Sequence, residues 1–404
     1  MNSIAKDVRR DPSDAFIAAV RKKYPVEPEV DHVLTRKMTH RHKPGYTAIS
    51  LDTLRTGLEA LIRSEVGSHF VLDNLRWLPG GFSKIQAAFD LEWDGEAHKA
   101  PEKRTMVLRM EPAEAIVQTS RRREFEILKL VSGVVPAAPV YWLDHDGKYL
   151  PYPALVYGFA PGVSMPLGGA QEIKGGRTVF GPGLRAALAN QFVAHLAAIH
   201  TIPAARVESL RYFQPAKVGS NESVIRQVNW WRRVWEEDRP EDVPLVNLAA
   251  QWLVENAPPL DRPSVVHGDF RVGNFLFTES NAQITAWLDW ELSVIGDRHQ
   301  DLTWAAMPLM RRLAEDDRTE LAGGLIPIEE FYRRYEEASG LVVDPKRLLY
   351  FRVFNDFQVV VHMLATAWRV ASLGKTDKDA AVAWISMIGN VATASLRDSL
   401  EKVL

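Results

Sequence analysis

Apolar and polar positions follow two rhythms along the chain, and the rhythm changes near residue 160. Between residues 70 and 157 the pattern is mostly alternating, which predicts strands at Phe70–Arg76, Ile85–Trp93, Thr105–Met110, Val140–Asp144 and Pro153–Tyr157. One helix, Thr119–Val131, interrupts them, with Phe125, Leu128 and Leu130 as its apolar face. Before this block, Asp14–Lys23 and Leu51–Val66 read as helices; Leu54, Leu58, Leu61 and Ile62 recur at helical spacing and Gly67 ends the second. After Gly162 the spacing becomes helical in Leu184–His200, Asn221–Glu237, Leu245–Glu255, Leu302–Leu313, Ile328–Glu337, Pro345–Ala371 and Asp377–Leu404. The exception is residues 263–304, where short apolar runs at Val265–Val266, Phe275–Phe277 and Ile284–Leu288 enclose polar residues.

At 404 residues the chain is long for one compact domain, and 46% hydrophobic residues suffice for a core. The net charge of −2 argues against partners held by bulk charge, so neither nucleic acid nor a membrane surface is expected. With no cysteine there are no disulfides, thiolate metal sites or cysteine nucleophiles, in agreement with a cytoplasmic setting. The first 15 residues lack the apolar core of a signal peptide, and no run of about 18 apolar residues exists to span a bilayer.

The chemistry concentrates in the exceptional stretch. His267-Gly268-Asp269 heads a loop, Asn274 lies five residues after Asp269, and a hairpin returns Asp289 towards both. Phosphoryl transfer needs one carboxylate to orient a hydroxyl and accept its proton, and an acid and an amide to hold Mg²⁺ against phosphates; kinase catalytic loops use this order and spacing. Asp269 is therefore the candidate base, and Asn274 and Asp289 are candidate metal ligands, offering the hard oxygen donors that Mg²⁺ prefers. Glu291 can hold a second metal through water, or simply bind solvent. Arg271 can neutralise phosphate charge or pair with a nearby acid. His267 is expected to brace the loop and Asp301 to cap backbone N–H groups.

At these residues the chain resembles the aminoglycoside phosphotransferase and choline kinase superfamily, and within it the bacterial phosphotransferase branch that includes kinase-like domains acting on hydroxyacyl-CoA. The resemblance runs from about Asp73 to the C-terminus. It implies an α+β, bilobal protein-kinase-like fold: an N-terminal helical extension (1–70), a small antiparallel-sheet N-lobe carrying the nucleotide-phosphate loop (71–160), and a mainly helical C-lobe with the catalytic loop and acceptor region (161–404). ATP or GTP would be the phosphoryl donor, Mg²⁺ the metal, and a small-molecule hydroxyl the acceptor, in a monomer or homodimer.

With the resemblance in place, the upstream motifs take roles. Gly80, Gly81 and Ser83 match the phosphate loop, where missing Cβ atoms let backbone N–H groups approach a phosphate. Arg109 occupies the strand position at which most kinases carry Lys, and keeps the charge. Glu124 is the matching helix partner, with Glu126 the alternative on another face. Tyr157 and Phe159 would flank the adenine at an inter-lobe hinge. Arg121–Arg123 read most simply as a solvated face, and His200 as a structural residue. In the helix that carries Trp230, Trp231 and Trp235, the last two are four apart and share a face that serves either the core or an acceptor pocket. Acids interleaved with Arg and aromatic residues over 184–260 favour a neutral, apolar or anionic acceptor over a polycation. The competing reading is a nucleotide-binding pseudokinase or scaffold without transfer.

Overall fold

The computed structural model describes residues 7–42, 47–78, 84–93, 102–166, 177–374 and 379–404. The first half centres on an antiparallel sheet of β1 (Phe70–Trp77), β2 (Ile85–Trp93), β3 (Glu102–Met110), β4 (Val140–Asp144) and β5 (Ala154–Gly158), in the order β1-β2-β3-β5-β4. Three helices precede it, α1 (Asp14–Lys23), α2 (Pro28–Thr39) and α3 (Leu51–Val66), and α4 (Arg121–Val131) lies between β3 and β4. Side chains two residues apart share a face of a strand. Phe89 and Leu91 on β2 and Met106, Leu108 and Met110 on β3 therefore pack with Leu54, Leu58, Leu61 and Ile62 of α3. The same alternation turns Gln86, Val107 and Arg109 to the other side, where they line a cleft. α3 sits close because Gly57 has no side chain: a Cβ there would meet the carbonyl oxygen of Tyr149 at 2.7 Å.

The second half is mainly helical. Its elements are α5 (Pro182–His200), α6 (Ala204–Glu208), α7 (Glu222–Asp238), α8 (Pro244–Glu255), β6 (Ser264–Val266), β7 (Phe275–Thr278), β8 (Gln283–Trp287), a 3₁₀ turn (Trp290–Leu292), β9 (Val294–Gly296) and α9 (His299–Ala306). There follow β10 (Arg312–Leu313), β11 (Glu320–Ala322), β12 (Ile326–Pro327), α10 (Ile328–Ser339), α11 (Pro345–Val360), a π-helical segment (Val361–Ala367), α12 (Trp368–Leu373), α13 (Asp379–Met387) and α14 (Gly389–Leu400). One core lies under the β7–β8 hairpin, where Phe270 stacks on Trp287 at 4.1 Å and Phe192 packs against both. The other joins α7, α8, α11 and α14 through Trp230, Trp231, Trp235, Phe351, Phe354 and Phe357. The chain thus has the α+β, two-lobed architecture, with the cleft between sheet and helices.

Several local expectations change. The helix expected over Leu302–Leu313 stops at Ala306, because Pro308 pushes Met307 out of helical geometry to φ −69°, ψ 154°. The continuous helix expected over Pro345–Ala371 widens into the π segment. α2 joins the helices expected before the sheet, with Val30, Val33, Leu34 and Met38 as its buried stripe. Residues 1–70 do not act as one extension: α1 and α2 pack on α7, whereas α3 belongs with the sheet. Arg121 and Arg123 are buried instead of solvated, because acids wait for them inside. Trp230, Trp231 and Trp235 are buried core residues.

Candidate active site

The loop after β6 is held from beneath. Asp301, at the start of α9, accepts from the backbone N–H of His267 at 2.7 Å and of Gly268 at 2.9 Å, and His200 Nε2 donates to it at 3.2 Å. The other nitrogen of His200 meets the Tyr335 hydroxyl at 2.8 Å. His267 Nε2 donates to the carbonyl of Leu288 at 2.9 Å, tying the loop to the strand that delivers Asp289, and its Nδ1 accepts from the N–H of Asp269. Burial lowers the pKa of His267, which favours the neutral ring, and the Leu288 carbonyl and Asp269 N–H set its tautomer. Gly268 adopts φ +82°, and a Cβ there would sit 2.6 Å from the Leu292 carbonyl oxygen, so the turn requires glycine.

Asp269 Oδ1 accepts from Arg271 Nε at 2.9 Å and Trp304 Nε1 at 2.8 Å, and its Oδ2 accepts from Asn274 Nδ2 at 2.7 Å. A carboxylate offers about four acceptor positions. One on Oδ2 is left for an incoming hydroxyl. Burial raises the pKa of Asp269, against Arg271, His267 and Asn274, which makes it a better base than an exposed aspartate. Trp304 was not anticipated: it lies 35 residues on, and no spacing rule links a loop acid to an indole in the next helix.

On the facing wall, Arg109 Nη1 meets Asp289 Oδ1 at 2.7 Å and its Nε lies 3.3 Å from Glu124 Oε1, so the strand cation touches both the helix acid and the hairpin acid. Asp289 holds φ +58°, a left-handed conformation that Asp tolerates better than most residues. Lys84 is a second cation that sequence reasoning missed, buried at the start of β2. Its Nζ lies 2.8 Å from Glu291 Oε2 and 3.0 Å from Glu111 Oε2. A lysine opening an alternating strand was the only signal.

Glu291, expected to hold a second metal through water or to bind solvent, is ringed by donors. Its Oε2 accepts from Thr119 and Arg121, each at 3.0 Å, besides Lys84, and Arg109 Nη2 lies 3.4 Å away. Burial works against its charge, but Lys84, Arg109 and Arg121 prevail and hold its pKa well below the usual range. With that oxygen surrounded by cations, Glu291 neutralises the charge of the wall. Arg271 pairs with Asp269, one of its two expected alternatives. Glu126 faces elsewhere and accepts from the N–H groups of Arg211 and Tyr212.

Lys84, Arg109, Glu124, Asp269, Asn274, Asp289 and Glu291 line one cavity of about 620 Å³, with Tyr157, Phe159 and Ala160 at its edge. The hinge N–H groups nearest the adenine expectation are already used: Gly158 donates to Pro139 and Phe159 to Thr105. Gly80, Gly81 and Ser83 lie outside the described residues. No group of three His, Cys, Asp or Glu side chains among the described residues can hold a metal alone. Mg²⁺ does not need one, since it keeps waters and phosphate oxygens besides one or two protein ligands. Asn274 and Asp289 fit that demand: the amide nitrogen of Asn274 is used by Asp269, leaving its oxygen, and Arg109 covers only one oxygen of Asp289.

The profile of the phosphotransferase enzyme family matches residues 97–341. Acyl-CoA dehydrogenase family member 10 of Mus musculus is 28% identical over 243 residues, 57% of this chain and 21% of the mouse protein. The chain thus spans about a fifth of the length of that relative. A solved candidate aminoglycoside phosphotransferase of Ralstonia eutropha has the same fold, with a TM-score of 0.62 at 22% identity, over 86% of this chain and 98% of the other. The GDP and kanamycin complex of an APH(2")-type enzyme aligns with a TM-score of 0.50 at 17% identity, over 84% and 98%. No helix among the described residues is long and apolar enough to cross a membrane.

Proposed function

The chain belongs to the phosphotransferase enzyme family, and from that premise we propose that it transfers the terminal phosphoryl group of ATP or GTP to the hydroxyl of a small molecule. The observation that carries this reading is the convergence of Asp269, Asn274, Asp289 and the Arg109–Glu124 pair on one cavity. Asn274 and Asp289 would hold Mg²⁺, which supplies positive charge against the phosphates when bound. Asp269 orients the hydroxyl and takes its proton at Oδ2. Asn274 and Trp304 fix the carboxylate so that this oxygen faces the cleft. Arg271 balances its charge until the proton arrives. Arg109, held between Glu124 and Asp289, lines the cavity; its fork can grip a phosphate bidentately where a kinase lysine acts as a point charge.

For the acceptor we favour a hydroxyl on an acyl or alcohol metabolite over a polycationic antibiotic. The mix of Arg and aromatic residues over 184–260 supports this, as does the name of the mouse relative, which points to acyl-CoA chemistry. The absence of cysteine supports a cytoplasmic setting. One observation favours the scaffold reading: Arg109, in place of lysine, is engaged by the carboxylates of Glu124, Asp289 and Glu291. A nucleotide-consumption screen over alcohols, hydroxyacyl thioesters and antibiotics decides, with Asp269→Asn as the blank. Acceptor-dependent consumption that vanishes in the blank supports the kinase. Nucleotide binding with no consumption for any acceptor supports the scaffold.

A further inference from the structure

A π-helical segment brings one residue to the cleft, a histidine that the phosphotransfer chemistry does not use. Val361–Ala367 follows directly from α11 with no proline or glycine to force the change. A π turn inserts an extra residue and bulges the helix outward, a geometry that recurs at functional sites. His362 sits at this bulge and lines the same cavity as Asp269 and Glu291. Its ring stands at 85° to the indole of Trp231, with centroids 4.5 Å apart, and Trp231 is itself stacked flat on Trp230 at 5.1 Å. The carbonyl of His362 accepts from the Thr366 hydroxyl at 2.7 Å. The ring is thus held by a rigid aromatic pair.

Its Nε2 is buried and has no hydrogen-bond partner among the described residues. A buried polar atom without a partner is costly, and such atoms in a native structure call for an explanation. Leu78, Val117 and Leu292 line the cavity along with it, as do the paired charges of Lys84 and Glu291. Burial lowers the pKa of His362 to about 4, with Glu291 opposing, so the ring is neutral at physiological pH.

We infer that His362 is a specificity-determining residue for the acceptor, its Nε2 hydrogen-bonding a neutral polar group, such as an amide or ester, carried close to the reacting hydroxyl. This rests on the phosphotransfer reading of the cleft and adds the chemistry of the substrate end. The neutral imidazole carries no charge of its own with which to hold a charged acceptor. It rewards a group that can satisfy its unpaired nitrogen, and a site built to hydrogen-bond a substrate discriminates against analogues that lack the partner.

The test compares two alcohols of similar size, 3-hydroxybutyramide and 2-pentanol, by nucleotide-dependent phosphorylation with wild type, His362→Phe and His362→Gln. The readout is the kcat/KM ratio of the hydroxyamide to the plain alcohol within each protein, which cancels differences in the active fraction. Wild type is expected to prefer the hydroxyamide by about tenfold or more, mostly through KM. His362→Phe is expected to bring that ratio close to one, and His362→Gln, which keeps a hydrogen-bonding end, to retain most of it. His362→Leu replaces the Phe variant if the latter does not fold. The inference is overturned if wild type shows no preference for the hydroxyamide, if the Phe or Leu variant keeps the ratio, or if Gln loses it equally. Absence of phosphorylation of every alcohol, or its persistence in Asp269→Asn, would instead sink the phosphotransfer reading and this inference with it.

Discussion

Two buried ion clusters of similar composition do opposite work in this molecule. In the cleft, Lys84, Arg109 and Arg121 face Glu111, Glu124, Asp289 and Glu291. Beneath the N-terminal helices, Lys37, Arg41, Arg233 and Arg369 face Glu114, Glu237 and Asp238. The second cluster is closed. Lys37 lies 2.8 Å from Glu237 and 2.9 Å from Asp238, Arg369 Nε lies 3.0 Å from Asp238, and none of its members lines the cleft. It ties α2, α7 and α12 to the segment after β3, which Arg369 also grips through the carbonyl of Ala115. The cleft cluster is open at one corner, where the Asp289 side chain is 37% exposed. The difference teaches that charge and burial alone do not mark a site. An opening to a cavity, with one acid left partly hydrated, does.

The largest effect separates chemistry from scaffold. Asp269→Asn should lower acceptor-dependent transfer by about 10³-fold, the scale of general base catalysis, with nucleotide affinity nearly unchanged. Calorimetric titration with a non-hydrolysable nucleotide checks the second half. If affinity falls as far as rate, Asp269 is not acting as a base.

Next come the two clusters themselves. Asp238→Asn leaves Lys37, Arg41 and Arg369 short of a buried counter-charge and should destabilise the fold by about 3–5 kcal/mol. Asp289→Asn should change the thermal midpoint little, because its corner is hydrated, but remove the Mg²⁺ dependence of nucleotide binding. Equal destabilisation by both substitutions would erase the contrast. The closed cluster also predicts an acid limb. Burial would raise the pKa of Asp238, but Arg369, Lys37 and Arg41 hold it far below that of an unfolded aspartate. Its stabilisation is complete above about pH 4 and is lost as pH falls through the depressed value. Urea melts of the wild type and Asp238→Asn should therefore converge towards strongly acid pH.

A smaller effect tests the cation of the cleft. Arg109→Lys keeps the charge but loses the fork that bridges Glu124 and Asp289, and should weaken nucleotide binding by about tenfold. The smallest concerns pH and rate. Since burial raises the pKa of Asp269, the alkaline rise of kcat/KM should lie above the ordinary aspartate range. Removing Arg271, which favours the ionised form, should move it further up. An Arg271→Ala profile displaced to lower pH would contradict the pairing.

Much of the frame was legible in the chain. The change of rhythm near residue 160 separates sheet from helices, and α1, α3 and β2 fall where periodicity puts them, because amphipathic spacing is a local property. The spacing of Asp269, Asn274 and Asp289 brought them forward as a set, since a loop and a hairpin fix their mutual reach. What only the tertiary structure decided are the partners that close over long separations. Trp304 on Asp269, Lys84 and Arg121 on Glu291, and the burial of Arg121 and Arg123 depend on which surfaces meet. The π turn at His362 belongs with them. A charged residue reads as solvent-facing until a counter-charge from elsewhere covers it, and no local rhythm records where that counter-charge comes from.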